Sequence, residues 1–170
     1  MVRLMNKYSF LLLLVFVTSC KTKKQYYINS DSFSSKKVYF SLKEGSSYQK
    51  VKKIGEHIGN SRDPNIYDVF RKSVEELSEE INIDLFYSPK YIFPNDSVIS
   101  VMADIKNIDW VFINGTKAVM NVNIDYMLPD QNISIIGTNE YKVFLAGTKS
   151  GNLKNSLKDG HKQILSTLWE

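Results

Sequence analysis

Cysteine is almost missing from this chain: Cys20 is the only one in 170 residues. A disulfide framework needs pairs, and a CxxC redox site or a cysteine-based zinc site needs several thiols, so all three are excluded. Histidine is nearly as scarce, at His57 and His161 alone, and neither stands in an HExxH or comparable pattern. No GxSxG occurs, and the turn Glu44-Gly45-Ser46-Ser47 lacks the glycine spacing and the lysine of a phosphate loop. There is no internal repeat or low-complexity tract. The unbroken apolar run Phe10–Val17 has eight residues, well short of the ~20 that a membrane-spanning helix needs.

That run nevertheless has a context. Arg3 and Lys7 precede it, Thr18 and Ser19 follow, and Cys20 comes next. A basic stretch, a short apolar stretch and a small-residue cleavage site make a secretory signal over residues 1–19. Val17-Thr18-Ser19-Cys20 resembles the lipobox of bacterial lipoproteins, with Val17 and Ser19 as tolerated variants. The resemblance implies cleavage before Cys20 and acylation of its thiol and new amino group, with palmitate-type chains held in membrane lipid. Two acyl chains, at roughly 0.8 kcal/mol per buried methylene, give stable anchoring. Lys21 stands where an Asp would direct inner-membrane retention in enteric bacteria, so an outer-membrane location in the cell envelope is expected, facing either side. The alternative, an ordinary cleaved signal with a stray cysteine beside it, has less support, because no second cysteine exists to pair with Cys20.

Charge is unevenly spread. The formal net charge is +4, but Arg3 and Lys7 leave with the signal. Residues 20–37 hold five lysines against Asp31 alone. Residues 38–170 hold fifteen basic and seventeen acidic residues, a net of −2. A nucleic-acid partner, which would need a basic stripe on the folded part, loses its support. The lysines near Cys20 can meet anionic headgroups, each worth about 1 kcal/mol at the surface, or form a solvated tether.

Residues 20–35 read as a flexible tether and 36–170 as one domain, large enough to bury a core without staples. Val38–Leu42 alternates as a first strand. Tyr48, Val51, Ile54 and Ile58 recur at helical spacing, which predicts a short helix over Ser47–Ile58 that ends near Gly59-Asn60. Asp63-Pro64 is a helix start, followed by the apolar positions Ile66, Val69, Phe70, Val74 and Leu77. Glu75, Glu76, Glu79 and Glu80 lie in its later turns, with no base or metal motif, and read as a solvated face. A strand over Ile81–Tyr87 follows. Next come Ile99, Val101, Ala103 and Ile105, a bulge near Asn107–Asp109, and Trp110–Ile113. Asn114-Gly115 is the strongest hairpin signal. Ala118, Met120, Val122, Ile124, Tyr126 and Leu128 then share one strand face. Ile133–Ile136 and Tyr141–Leu145 supply one long strand or two short ones, and Leu153 to Leu168 a final helix, with Gly160 weakening its middle. The expected class is α+β: a two-layer sandwich, with a mainly antiparallel sheet of four to six strands and two to three helices on one face.

The residues give little chemistry. His57 and His161 read as surface or boundary histidines in helices. Asp104, Asp109 and Asp125 could meet across a sheet around a hard cation, though carboxylates on a wet face explain them equally. No catalytic, metal or cofactor-binding residues are assigned and no cofactor is expected. Asp96-Ser97-Val98 resembles the acceptor for periplasmic O-glycosylation in Bacteroidota, which makes Ser97 a candidate site on an exposed loop.

The order of elements resembles small Gram-negative outer-membrane lipoproteins with an auxiliary α/β domain, of the YajG type. The parts that carry it are Cys20, the helix through Val69–Leu77, and the run from Asp96 through Ser97–Val101 and Met120–Tyr126 to Leu153–Leu168. The early helix at Ser47–Ile58 departs from that pattern. The resemblance implies a non-catalytic accessory protein with an envelope protein partner. Two alternatives stand beside it: an immunity or inhibitor lipoprotein that caps a toxin or enzyme, and a hydrolase whose active site forms no motif.

Overall fold

Alternation at a spacing of two builds the centre of the molecule. In β5 (Lys117–Met127), Ala118, Met120, Val122, Ile124 and Tyr126 are buried, and each residue between them is half-open. One face therefore packs a core while the other meets solvent. The computed structural model describes residues 25–56, 62–113, 115–142 and 147–168. The other elements are β1 (Lys37–Leu42), β2 (Val51–Ile54), α1 (Ile66–Ile81), β3 (Leu85–Ser88), β4 (Val98–Ile113), β6 (Asn132–Lys142) and α2 (Lys149–Thr167), with single 3-10 turns at Ser30–Phe33 and Ser46–Tyr48.

The class is α+β, with one mixed six-stranded sheet in the order β3-β1-β4-β5-β6 and β2 also paired to β4. The expectation of a mainly antiparallel sheet needs correction. β4–β5 and β5–β6 are long antiparallel ladders, but β1–β3, β1–β4 and β2–β4 are parallel. Parallel partners far apart in the chain leave no turn signature, which is why they escaped the reading.

The length of β4 explains β2. β1 pairs with Val98–Ala103 only, so the rest of that edge would present unpaired backbone groups. Val51–Ile54 fills it against Ile108–Val111. The helix expected over Ser47–Ile58 is therefore wrong for its described part: a 3-10 turn and a strand stand there. Its supposed apolar stripe fails, since Tyr48 is 82% exposed and Ile54 is 39% exposed while Val51 is buried. Residues 57–61 lie outside the described residues.

β4 has a register shift between Ile105 and Asn107. One extra residue, Lys106, reverses the parity of the strand. Ala103 and Ile105 face the core before it, and Ile108, Trp110 and Phe112 face the core after it. The expected bulge is real and lies slightly earlier than Asn107–Asp109. Gly115, at φ 65, sits in the β4–β5 turn; Asn114 lies outside the described residues. β6 is one strand through Lys142, and residues 143–146 are likewise outside.

Helix α1 starts two residues later than Asp63-Pro64 suggested. Asn65 is the cap, its side chain accepting from the N–H of Asp68. The helix runs to Ile81 and stops at Asn82, which takes the left-handed conformation at φ 53, so β3 begins only at Leu85. Thr148 caps α2 by accepting from the N–H of Gly151.

α2 packs on β5 and β6, and α1 packs on α2 and β3. Ser156 ties α2 to the sheet by donating to the Met120 carbonyl at 2.8 Å. Gly160 is not a weak point but the place of closest approach, facing Tyr126, Ile124 and Gly137. On the opposite, outer face of the sheet, the connection between β3 and β4 crosses over β1: Ser100 donates to the Ile92 carbonyl from beneath it.

The segment read as a tether is described from Gln25 onward, and there it is docked. Phe33 is buried, Ile28 packs against the core, and Tyr26 donates its hydroxyl hydrogen to Asp159 Oδ1 at 2.8 Å. No helix among the described residues is long and apolar enough to cross a membrane.

Candidate functional site

The most chemical-looking cluster lies inside the core. His161, on α2, is fully buried, contrary to its reading as a surface or boundary residue. Its Nε2 lies 2.9 Å from Ser73 Oγ of α1, and its Nδ1 lies 2.8 Å from the Tyr126 hydroxyl of β5. The rings of Phe40 and Phe70 close over the imidazole at centroid distances of 4.7 and 5.1 Å. Ser73 Oγ also lies 2.6 Å from the Phe70 carbonyl, to which it donates.

Donor bookkeeping orients the whole chain of bonds. A serine hydroxyl has one hydrogen, and the Phe70 carbonyl takes it. Nε2–H must then donate to Ser73, which leaves Nδ1 to accept from Tyr126. Burial holds the imidazole neutral, pushing its pKa from 6.5 down to about 3. It also pushes the Tyr126 phenol up, with the negative charge of Asp159 adding to the effect. The order is the reverse of a nucleophilic pair, in which histidine accepts the serine proton. Ser73 and His161 have the right residue types and the wrong direction.

A second cluster lies on the outer face. Asp104 and Asp125 are direct cross-strand partners, as their spacing suggested, but the cation between them is Lys106. Its ammonium lies 2.7 Å from Asp104 Oδ2 and 3.4 Å from Asp125 Oδ2. Lys106 follows Asp104 by two residues, so strand alternation puts both on the outer face. Lys43 also reaches Asp104 at 2.7 Å, and Ser46 donates to it at 3.2 Å. Burial works to raise the Asp104 pKa, but the Lys106 and Lys43 hydrogen bonds outweigh it and hold the carboxyl below its ordinary range. Asp109 stands apart, opposite Asn121, and accepts from Asn107. Among the described residues no group of three or more His, Cys, Asp or Glu side chains is arranged to hold a metal.

The α1 carboxylates are partly misread as solvated. Glu76 and Glu80 meet Lys154, Lys158 and Lys162, which recur every four residues on α2. For Glu76 the Lys154 hydrogen bond lowers the pKa most; for Glu80 burial opposes the lowering and the Lys158 and Lys162 bonds prevail. Glu75 pairs along its own helix with Arg71. Asp63, expected as a helix cap, instead meets the buried ammonium of Lys149 at 2.9 Å.

The sequence singled out neither Asp159 nor Tyr26. Asp159 Oδ2 accepts from the backbone N–H of Thr138 at 2.9 Å and from Gln163 Nε2 at 3.0 Å, while Gln163 also donates to the Ile136 carbonyl. Two side chains of α2 thus cover part of the outer edge of β6, a common protection for an edge strand. No local motif marks such a contact. A cavity of about 310 Å³ lies nearby, lined by Gln25, Tyr26, Ile28, Ile81, Ile83 and Lys162.

Cys20 and His57 lie outside the described residues. Ser97 is exposed before β4, in a turn where its N–H and hydroxyl both donate to Asn95 Oδ1 at 3.0 Å.

No family model matches the chain, and no curated protein matches it. Solved structures show a distant likeness. One is an uncharacterised protein, at 10% identity and a TM-score of 0.41, over 79% of this chain and 90% of the other. Another is protein XCC0632 of Xanthomonas campestris, assigned to DUF330, at 10% identity and a TM-score of 0.41, over 86% and 85%. A third is a PelC dodecamer from Paraburkholderia phytofirmans, at 6% identity and a TM-score of 0.36, over 78% and 88%. Likeness at this level assigns no function.

Proposed function

We propose that this chain is a lipid-anchored lipoprotein of the bacterial cell envelope, with a non-catalytic binding or structural role. The observation that carries it is the segment Arg3 to Cys20: a signal that ends on the one thiol of the chain. The fold that goes with this reading is a two-layer one, with both helices on the core face and the outer face open to a protein partner. Outer-membrane residence, from Lys21, and kinship with YajG-type lipoproteins belong to the same proposal.

The core geometry favours it over a hydrolase. Catalysis by Ser73 and His161 would need access and a proton path from serine to histidine. Both residues are buried, and the hydrogen bonds run the other way.

Metabolic labelling with palmitate tests the anchor. The wild-type chain should take up label and Cys20→Ala should take up none; label that survives the substitution would overturn the proposal. Ser97 remains a candidate for O-glycosylation on the same envelope reading. The mature protein from its own host should be heavier than its sequence by a glycan mass, and Ser97→Ala should remove the excess. An unmodified wild-type mass would sink that part.

A further inference from the structure

The docked N-terminal segment changes what an anchor would do. A free tether over residues 20–35 would let the domain wander about 50 Å from the bilayer. Gln25, Tyr26 and Ile28 are instead seated beside α1 and α2, and the Tyr26 hydroxyl is held by Asp159. Burial pushes the Tyr26 phenol pKa up, and the Asp159 hydrogen bond and charge push it further, so the phenol stays a donor. Only five residues, 20–24, run from the proposed anchor at Cys20 to the seated segment that begins at Gln25, a reach of about 17 Å at full extension.

The segment leaves the domain on one particular side. Asp159 lies on α2, which packs on the core face of the sheet, opposite the outer face that carries Asp104, Asn107 and Asp125. Tyr27, 84% exposed, stands next to the latch. Tyrosine is favoured at the headgroup level of a bilayer, where its ring meets apolar chains and its hydroxyl meets water. Lys21, Lys23 and Lys24 precede it in the sequence and suit anionic headgroups.

We propose that the α2 side of the domain, around Tyr26, Tyr27 and Asn155, rests against the membrane that holds Cys20, so that the outer sheet face points away from it. The inference rests on the lipid-anchor reading above. It places the open face where a soluble or integral envelope partner can reach it, and makes the bilayer itself the partner of the helix side.

The lone cysteine makes the test direct. With Cys20 acylated, an engineered thiol is the only one free for a nitroxide label. Asn155→Cys and Asn107→Cys, both at exposed positions, report the two sides of the full-length lipidated protein. The protein is placed on phosphatidylethanolamine–phosphatidylglycerol vesicles that carry nickel-chelating headgroups. Relaxation of the label by nickel should be several-fold stronger at position 155 than at 107. A Gly-Ser insertion of about ten residues after Lys24 should erase the difference while the domain stays folded, and Tyr26→Phe should reduce it. Equal relaxation at both sites, in protein that floats with the vesicles, would overturn the orientation and leave the anchor standing. Protein that does not float with the vesicles would overturn both.

Discussion

Gly137→Ala should destabilise the domain by about 3 kcal/mol or more, near the top of the range for overpacking a closed interior. Gly137 lies in β6 directly beneath α2. A Cβ built there would sit 2.1 Å from the Ser156 carbonyl oxygen and 3.0 Å from the Gly160 nitrogen. Both are backbone atoms in mid-helix, so no side-chain rotation relieves the clash, and α2 must lift. Lifting it strains the buried bond from Ser156 to the Met120 carbonyl and moves His161, the next residue after Gly160. Urea unfolding followed by circular dichroism would read the effect as a lower midpoint at an unchanged slope. Gly147→Ala is the matched control, because a Cβ there meets nothing within 4 Å and should shift stability by less than about 0.5 kcal/mol. A Gly137 variant as stable as the wild type would mean that helix and sheet do not approach this closely.

The same contact shows which parts of the molecule can be read from residues in order. β5 was legible because its burial alternates within one continuous strand. The β4 bulge was legible for the same reason: the apolar positions change from odd to even across Lys106. The stretch from Val51 to Ile54 was not, because four residues that form a strand only to complete the edge of β4 carry no pattern of their own. A spacing of three or four then fits a helix by accident. His161 was misread despite a usable signal. It follows Leu157 by four residues and precedes Ile164 and Leu165 by three and four, so it lies on the buried stripe of α2. Ser73 likewise stands between Phe70 and Leu77 on the buried stripe of α1. Their meeting with Tyr126, and that of Tyr26 with Asp159, joins residues from 35 to 133 positions apart. Such pairs have no local spacing to betray them. The outer-face group was legible in part: period two puts Asp104 and Lys106 on one side of β4 and Asp125 on the matching side of β5, but no local spacing shows that the lysine itself stands between the two carboxylates.

His161 leads to the second large effect, a dependence of stability on pH. In the unfolded chain its imidazole takes up a proton below its ordinary pKa of 6.5, whereas in the folded chain burial delays protonation to about 3. Between these values the unfolded state binds one more proton than the folded state. Stability therefore rises with pH across this window, is fully present above 6.5, and is lost as pH falls toward 3. The folding constant should drop by roughly tenfold per pH unit on that account. Glu76, Glu80 and Asp104 all have lowered pKa values, so their protonation weakens the fold only in more acid solution. The interval from about 5 to 6, above the ordinary carboxylate range, thus reports mainly on histidine. His161→Gln keeps a donor and an acceptor near Ser73 and Tyr126 but has no charge to gain. It should cost about 1–3 kcal/mol at neutral pH through imperfect hydrogen bonds in the core. It should also remove about one proton from the slope of stability against pH in that interval. His57→Gln, measured beside it, identifies any share owed to the other histidine. If the His161 variant keeps the full wild-type slope, the imidazole is not held neutral in the core, and the bond order from Tyr126 through His161 to Ser73 is wrong. If the slope flattens, the imidazole of His161 is held neutral in the core, where it links α1 and α2 to β5.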